Sequence, residues 1–302
     1  MTSAPSTPPA RVSGSLPPER IHTVFGDFVE IFREMSGVRD LLRQLVRRDV
    51  SIRYKQALFG FAWAVLIPLA VVLAGLTVRV ALAHAAGRTV TGAQVAGMTV
   101  KSVPWAFFVG CLNTGTPSLV SNMALVTKIY FPREVLPLAS VLAQTFDSMI
   151  GFGIVALALP FLGVHASWNL LWVPVLLGLL WIFAFALALL LSCANLFFRD
   201  VKYLVQVFLT FGIFITPVLL EAPMFGKTGT GLIMLNPVAP ILEGLRLAIV
   251  ERHNLLQPFP APQGFEFWVP GYLGYCAAWA FGLLALSMII FHRSEERFAE
   301  LG

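Results

Sequence analysis

The chain has 302 residues, of which 57% are hydrophobic and 12% are charged, and it carries a formal net charge of +5. Ordinary globular domains hold about 25% charged residues, so this composition excludes a solvated domain and leaves room for one membrane domain and little else. The positive balance does not indicate nucleic acid, because the basic residues flank apolar runs in the manner of the positive-inside bias.

In chain order, residues 1–20 contain Pro5, Pro8, Pro9, Pro17 and Pro18 among Ser and Thr, without the apolar core of a secretory signal. They read as a disordered cytoplasmic tail. Residues 21–56 follow as a basic amphipathic stretch, with Leu41, Leu42, Leu45 and Val46 on one side and Arg39, Arg43 and Arg47 on the other. Such helices lie in the membrane interface with the apolar face in the lipid boundary, or pack on the cytoplasmic face of their own protein. Both placements are open from the sequence.

The membrane domain is expected over 57–302. A hydrocarbon core about 30 Å thick needs roughly 20 apolar helical residues to cross. Charge-free windows run over Gln56–Val78, Ser102–Thr127, Tyr203–Leu220 and Phe267–His292, and the longest, Ser148–Phe198, holds 51 residues. The last is long enough for two crossings, joined near Pro160, Gly163, His165 and Asn169. Six spans follow, near 57–79, 103–126, 138–160, 170–196, 203–220 and 268–291. Fifteen Lys and Arg fall on the side of the termini and six on the other, which predicts that both termini are cytoplasmic.

Between the fifth and sixth spans, the apolar run Leu232–Leu242 is broken by Asn236, Pro237 and Pro240 and followed by Glu243 and Arg246. It is too short and interrupted to cross. It reads as a re-entrant helical hairpin, tolerated at depth where protein or a wet cavity satisfies its backbone; an amphipathic helix lying on the outer surface is the alternative. The predicted fold class is therefore all-α integral membrane, with six transmembrane helices, an N-terminal amphipathic interface helix and this hairpin.

Bond-making chemistry has no visible home. His22, His84, His165, His253 and His292 are scattered without ligand spacing, so no metal site is expected. Cys111, Cys193 and Cys276 sit in apolar runs and read as packing residues. Gly226-Lys227-Thr228 resembles the end of a phosphate-binding loop, but Glu221 stands where that loop needs its first glycine. Asp147 is the one acid inside a predicted core span, and an intramembrane ionisable group is a functional hypothesis by default. One acid is thin support for proton coupling. If the chain transports, its energy source lies in a partner.

The cytoplasmic segments carry the strongest pattern. Arg53-Tyr54-Lys55 leads into the first span. Lys128-Ile129-Tyr130-Phe131-Pro132-Arg133-Glu134-Val135-Leu136-Pro137-Leu138 joins the second and third. Arg199-Asp200-Val201 opens the fifth, and Asn236-Pro237 with Arg246 marks the hairpin. In this order, over roughly residues 40–300, the set resembles the membrane subunit of type 2 ABC exporters for polysaccharides and polyol phosphates, the family of O-antigen, capsule and teichoic-acid export permeases.

That resemblance implies a channel-forming subunit of an ATP-driven exporter in the bacterial cytoplasmic membrane, moving a lipid-linked polysaccharide. It implies a homodimer of permeases with two cytoplasmic ABC ATPase subunits, which bind ATP and Mg; the chain itself would be no enzyme and would bind no cofactor. A type 2 ABC permease for a drug or lipid, or an integral membrane transferase, are the other readings. By resemblance, Tyr130, Phe131, Pro132, Arg133 and Glu134 form the contact that couples to the ATPase, since Pro132 breaks helix at Phe131 and presents an aromatic and a cation as a knob. Arg53, Tyr54 and Lys55 are placed to meet lipid phosphates. Arg199 and Asp200 are expected to pair at the cytoplasmic end of span five. Trp63, Trp105, Phe107, Phe108, Phe146, Phe211 and Phe214 are candidates for an aromatic sugar path.

Overall fold

The computed structural model describes residues 38–55, 62–85, 87, 89–128 and 131–298. Its helices are α1 (Arg39–Lys55), α2 (Trp63–Ala85), α3 (Gly92–Gly115), the short α4 (Ser118–Ser121) and α5 (Met123–Lys128), then α6 (Val135–Ala158) and α7 (Trp172–Phe197). After these come α8 (Val201–Ile215), α9 (Gly226–Met234), α10 (Val238–Ile249) and α11 (Gly271–Phe298). A small antiparallel pair, β1 (Phe259–Pro260) with β2 (Glu266–Trp268), precedes α11. The all-α class holds for the body of the molecule.

Among the described residues, five helices are long and apolar enough to cross a membrane: Leu66–Ala85, Gly92–Gly115, Val135–Leu162, Trp168–Phe197 and Gly271–Ser294. Over the expected span 203–220 the apolar helix α8 runs only to Ile215. Thr216 turns extended, with φ −102° and ψ 138°, just before Pro217, as the residue ahead of a proline is driven to do. Fifteen residues of helix reach about 22 Å, and the non-helical stretch that follows carries the chain on to Leu220, whose carbonyl meets Lys101 of α3.

The second span is displaced from 103–126 to Gly92–Gly115. The charge-free window begins after Lys101, whereas the helix runs straight through Lys101. Its N-terminus is set where Thr91 N–H donates to the Gln94 side chain at 3.2 Å, a capping-box bond. Thr116 and Pro117 then turn the chain into the short α4 and α5.

Helix α3 is the innermost: 72% of its apolar window is buried, against 11% for α6 and 17% for α2 and α11. It packs on α6 and α7, while α11 lies along α7. The main core joins Trp105, Phe108, Leu112, Leu176, Leu180 and Phe183 to Leu242 and Leu245 of α10 and to Trp268. A second core at the other end gathers Leu45, Leu119, Val126, Phe131, Leu136, Leu189, Cys193 and Phe291. Leu45 places α1 on this second core, with Leu41, Leu42 and Val46 packed around it. The apolar face of α1 is thus covered by the chain's own helices, the second of the two placements the sequence left open.

Close approach of α3 and α7 depends on a missing side chain. A Cβ at Gly115 would stand 2.7 Å from Ala188 Cβ. Gly115→Leu is therefore expected to push the helices apart, costing about 1–3 kcal/mol. A lowered thermal-unfolding midpoint in detergent checks this, with Gly178→Leu, where a Cβ meets open space, as the control.

Candidate functional site: a buried charge cluster and a polar cavity

The sequence treats Arg79, Lys101 and Arg246 as charges outside the membrane. All three are buried. Lys101 (1% exposed) donates from Nζ to Glu243 Oε1 at 3.1 Å and to the Leu220 carbonyl at 3.2 Å. Arg246 Nε donates to Glu243 Oε2 at 2.8 Å, and its Nη1 reaches Glu251 at 2.9 Å. The Ala222 N–H gives Glu243 a further bond of 3.2 Å. Nearby, Arg79 Nη2 meets Glu221 at 3.0 Å. Removing charges from water costs several kcal/mol per ion, offset only by close pairing and added hydrogen bonds; Glu243, with its carboxylate fully bonded and none of its surface exposed, meets both conditions.

This cluster fixes α9 and α10. The two short helices are joined at Leu235–Pro237, and Asn236 pins the joint: its Nδ2 donates to Thr216 Oγ1 at 2.9 Å and its Oδ1 accepts from Val238 N–H at 3.1 Å. Every residue of α10 from Val238 to Ala248 is buried. Arg246 also lies 5.8 Å from the Phe267 ring, which ties the hairpin to β2. The available signal was Glu243 and Arg246 three residues apart on an otherwise apolar helix, a spacing that sets them on one face.

Asp147 is brought to Arg53. The Arg53 guanidinium donates to the Asp147 carboxylate and, at 2.7 Å, to Gln144 Oε1. Arg53 is therefore turned inward onto this pair; the side chains of Tyr54 and Lys55 lie outside the described residues. The pair borders a cavity of about 450 Å³ between α2, α3 and α6, whose wall includes Ile67, Pro68, Trp105, Asn113 and Ser148. A second, apolar cavity of about 310 Å³ continues past Pro68 and Val103 towards Phe161.

The remaining predicted residues separate. Phe131 is 8% exposed and sits in the second core, so it is an anchor of its loop and not the free knob expected. Glu134 is buried, Pro132 and Arg133 are half-buried, and Tyr130 lies outside the described residues. Arg199 and Asp200 do not pair: both are exposed. The corner is held instead by Asn195, whose Oδ1 accepts from Lys202 N–H at 3.2 Å, and by the Asp200 carbonyl, which accepts from Tyr203 N–H at 3.0 Å. Among the aromatics, Trp105, Phe107 and Phe108 are buried, and Phe108 stacks on Phe183 at 6.0 Å; they fill the core of the chain, with Trp105 also edging the cavity. Phe146, Phe211 and Phe214 are 57%, 61% and 69% exposed. The side chain of Trp63 is outside the described set.

Five helices of spanning length beside a buried charge cluster define a multi-pass membrane protein. No family model matches the chain. Curated proteins do. Over 272 residues the chain is 25% identical to the O-antigen export system permease protein RfbA of Klebsiella pneumoniae, covering 87% of this chain and 95% of that protein. A second K. pneumoniae protein of that name is 26% identical over 208 residues, 67% of this chain and 77% of the relative. The O-antigen export system permease protein RfbA of Myxococcus xanthus is 27% identical over 274 residues, 90% of this chain and 99% of its own length. The resemblance to polysaccharide-export permeases thus extends along nearly the whole chain.

The charge cluster makes an asymmetric prediction. Glu243→Ala strands two buried cations and is expected to cost about 3–5 kcal/mol. Lys101→Met leaves Glu243 bonded to Arg246 and Ala222, so it should cost clearly less. Thermal stability and monodispersity of the two variants in detergent decide the order; equal losses would show that Glu243 is not the hub.

Proposed function

We propose that the chain is the transmembrane subunit of an ATP-driven exporter that moves O-antigen or a related lipid-linked polysaccharide across the bacterial cytoplasmic membrane. The observation that carries this reading is the similarity to exporter permeases across most of the chain, on a body of five apolar helices of spanning length. Its buried charged side chains are paired with one another, which fits a conduit driven from outside. ATP and Mg belong, in this reading, to a separate ATPase, and the chain is itself no enzyme.

The assembly is two permeases with two ATPase subunits. Support for a second copy comes from α8, where Tyr203, Leu204, Val207, Phe208, Phe211 and Phe214 are all more than half exposed. This apolar stripe, turned away from its own bundle, faces the other protomer and the translocation path, so Phe211 and Phe214 remain candidates for sugar contact. Both termini are cytoplasmic, from the charge count. The α9–α10 hairpin enters from the outer side and returns, its depth made tolerable by the Lys101–Glu243–Arg246 cluster. Residues 130–134 form the coupling contact, with Phe131 anchoring the loop in the second core so that ATPase movement at Arg133 is passed rigidly into α6.

Purified from its native membrane, the chain is expected to bring down an ATPase with Walker motifs, and its depletion should leave lipid-linked glycan accumulating inside the cell. A chain that transports when reconstituted alone would reject the reading. Arg133→Ala is expected to uncouple ATP hydrolysis from export at least several-fold while membrane insertion stays normal; unchanged glycan exported per ATP would remove the loop from the coupling contact.

A further inference from the structure

Asp147 stands twelve residues after Val135, the first residue of α6, which places it about 18 Å along that helix, near the middle of a crossing. Trp105 is likewise near the middle of α3. The cavity these helices share therefore lies at mid-depth of the bundle, half open, with a mostly apolar lining and a group of polar side chains along one part of it. Its volume of about 450 Å³ lies in the range of small-molecule sites.

Its lining has two characters. Ile67, Pro68, Val103 and Trp105 give an apolar wall, while Arg53, Gln144, Asp147, Asn113 and Ser148 supply guanidinium, amide, carboxylate and hydroxyl groups. Gln144 is laid against Gly110 so closely that a Cβ there would stand 2.4 Å from its amide carbon; the glycine makes room for the amide beside Arg53. Asn113 and Ser148 make no side-chain hydrogen bond among the described residues, although both line the chamber. Polar groups at this depth are costly and mark substrate pathways or relays.

The charges select the ligand class. Asp147 already balances Arg53, so the chamber offers no net positive charge to a phosphate, and a phosphate would meet the carboxylate. An acyl chain would leave the amides and the hydroxyl unanswered. A molecule with apolar C–H faces and a rim of hydroxyls satisfies both walls at once.

We propose that this chamber is a saccharide-binding station halfway across the membrane, in which Gln144, Asp147, Asn113 and Ser148 bond ring hydroxyls and Trp105 offers an apolar edge. The inference rests on the export reading and deepens it. It locates a sugar contact inside one protomer, separate from the exposed aromatics of α8.

The test uses the complete exporter in cells. The photoreactive residue p-benzoylphenylalanine is placed at Asn113, at Ile67 and, for comparison, at Phe211; after irradiation the purified chain is probed for attached carbohydrate. Capture at Asn113 and Ile67, reduced at least tenfold by Gln144→Leu in a chain that still inserts and binds its partners, is the expected result. Carbohydrate captured at Phe211 but not at Asn113 or Ile67, or lipid alone captured in the chamber, overturns the station and leaves the export reading standing. Capture unaffected by Gln144→Leu overturns the binding role given to the polar wall. No carbohydrate at any position, with glycan export intact after depletion of the chain, overturns both.

Discussion

Glu243 is the group on which the hairpin end of the structure depends. One carboxylate accepts from Lys101 of α3, Arg246 of its own helix and the backbone of Ala222, so three separate segments meet at two oxygen atoms. Lys101 also holds the Leu220 carbonyl, which belongs to the broken stretch after α8. Without this arrangement, α10 would bring an acid and a base into an apolar interior with nothing to answer them. With it, a twelve-residue helix too short to cross becomes one of the most buried elements of the chain.

A buried ion cluster is seldom a stability gain over well-packed apolar residues. Its value lies in specificity: the charges find partners in one arrangement only, and that arrangement fixes where the α9–α10 hairpin sits against α3. The Asn236 bonds to Thr216 and Val238 set the turn of the hairpin, while Glu243 sets its docking. A mobile gate or a rigid plug would both need such a fixed seat.

At the other end, a second core organises the predicted cytoplasmic face. Leu45 of α1, Phe131 of the α5–α6 loop and Phe291 of α11 pack together, so the loop proposed to meet the ATPase is held from both termini of the chain. Between the two ends, the Arg53–Asp147 pair ties α1 to the middle of α6 and borders the mid-depth cavity. The three polar or mixed features thus fall at successive depths of one bundle: loop anchor, chamber, hairpin seat.

The membrane class, most spans and the similarity to exporter permeases were legible in the sequence. Charge-free runs of spanning length admit few other folds, and short loop motifs keep their order. The Asn236-Pro237 break was legible too, because Pro237 stands next to an asparagine whose side chain caps the Val238 N–H of the following helix. Charges were misread where they were paired. Lys101 and Arg79 look like span boundaries because an unpaired cation does not enter hydrocarbon, yet Lys101 meets Glu243 across 142 residues and Arg79 meets Glu221 across the same separation. Phe131 looks like an exposed knob because its proline opens the helix, but whether an aromatic points out or in depends on helices far away in sequence. Residue composition alone fixes the solvent each segment prefers, because that preference is a local sum of transfer energies. Which buried charge meets which, and which cavity that leaves, is a matter of long-range geometry that appears once the helices are packed.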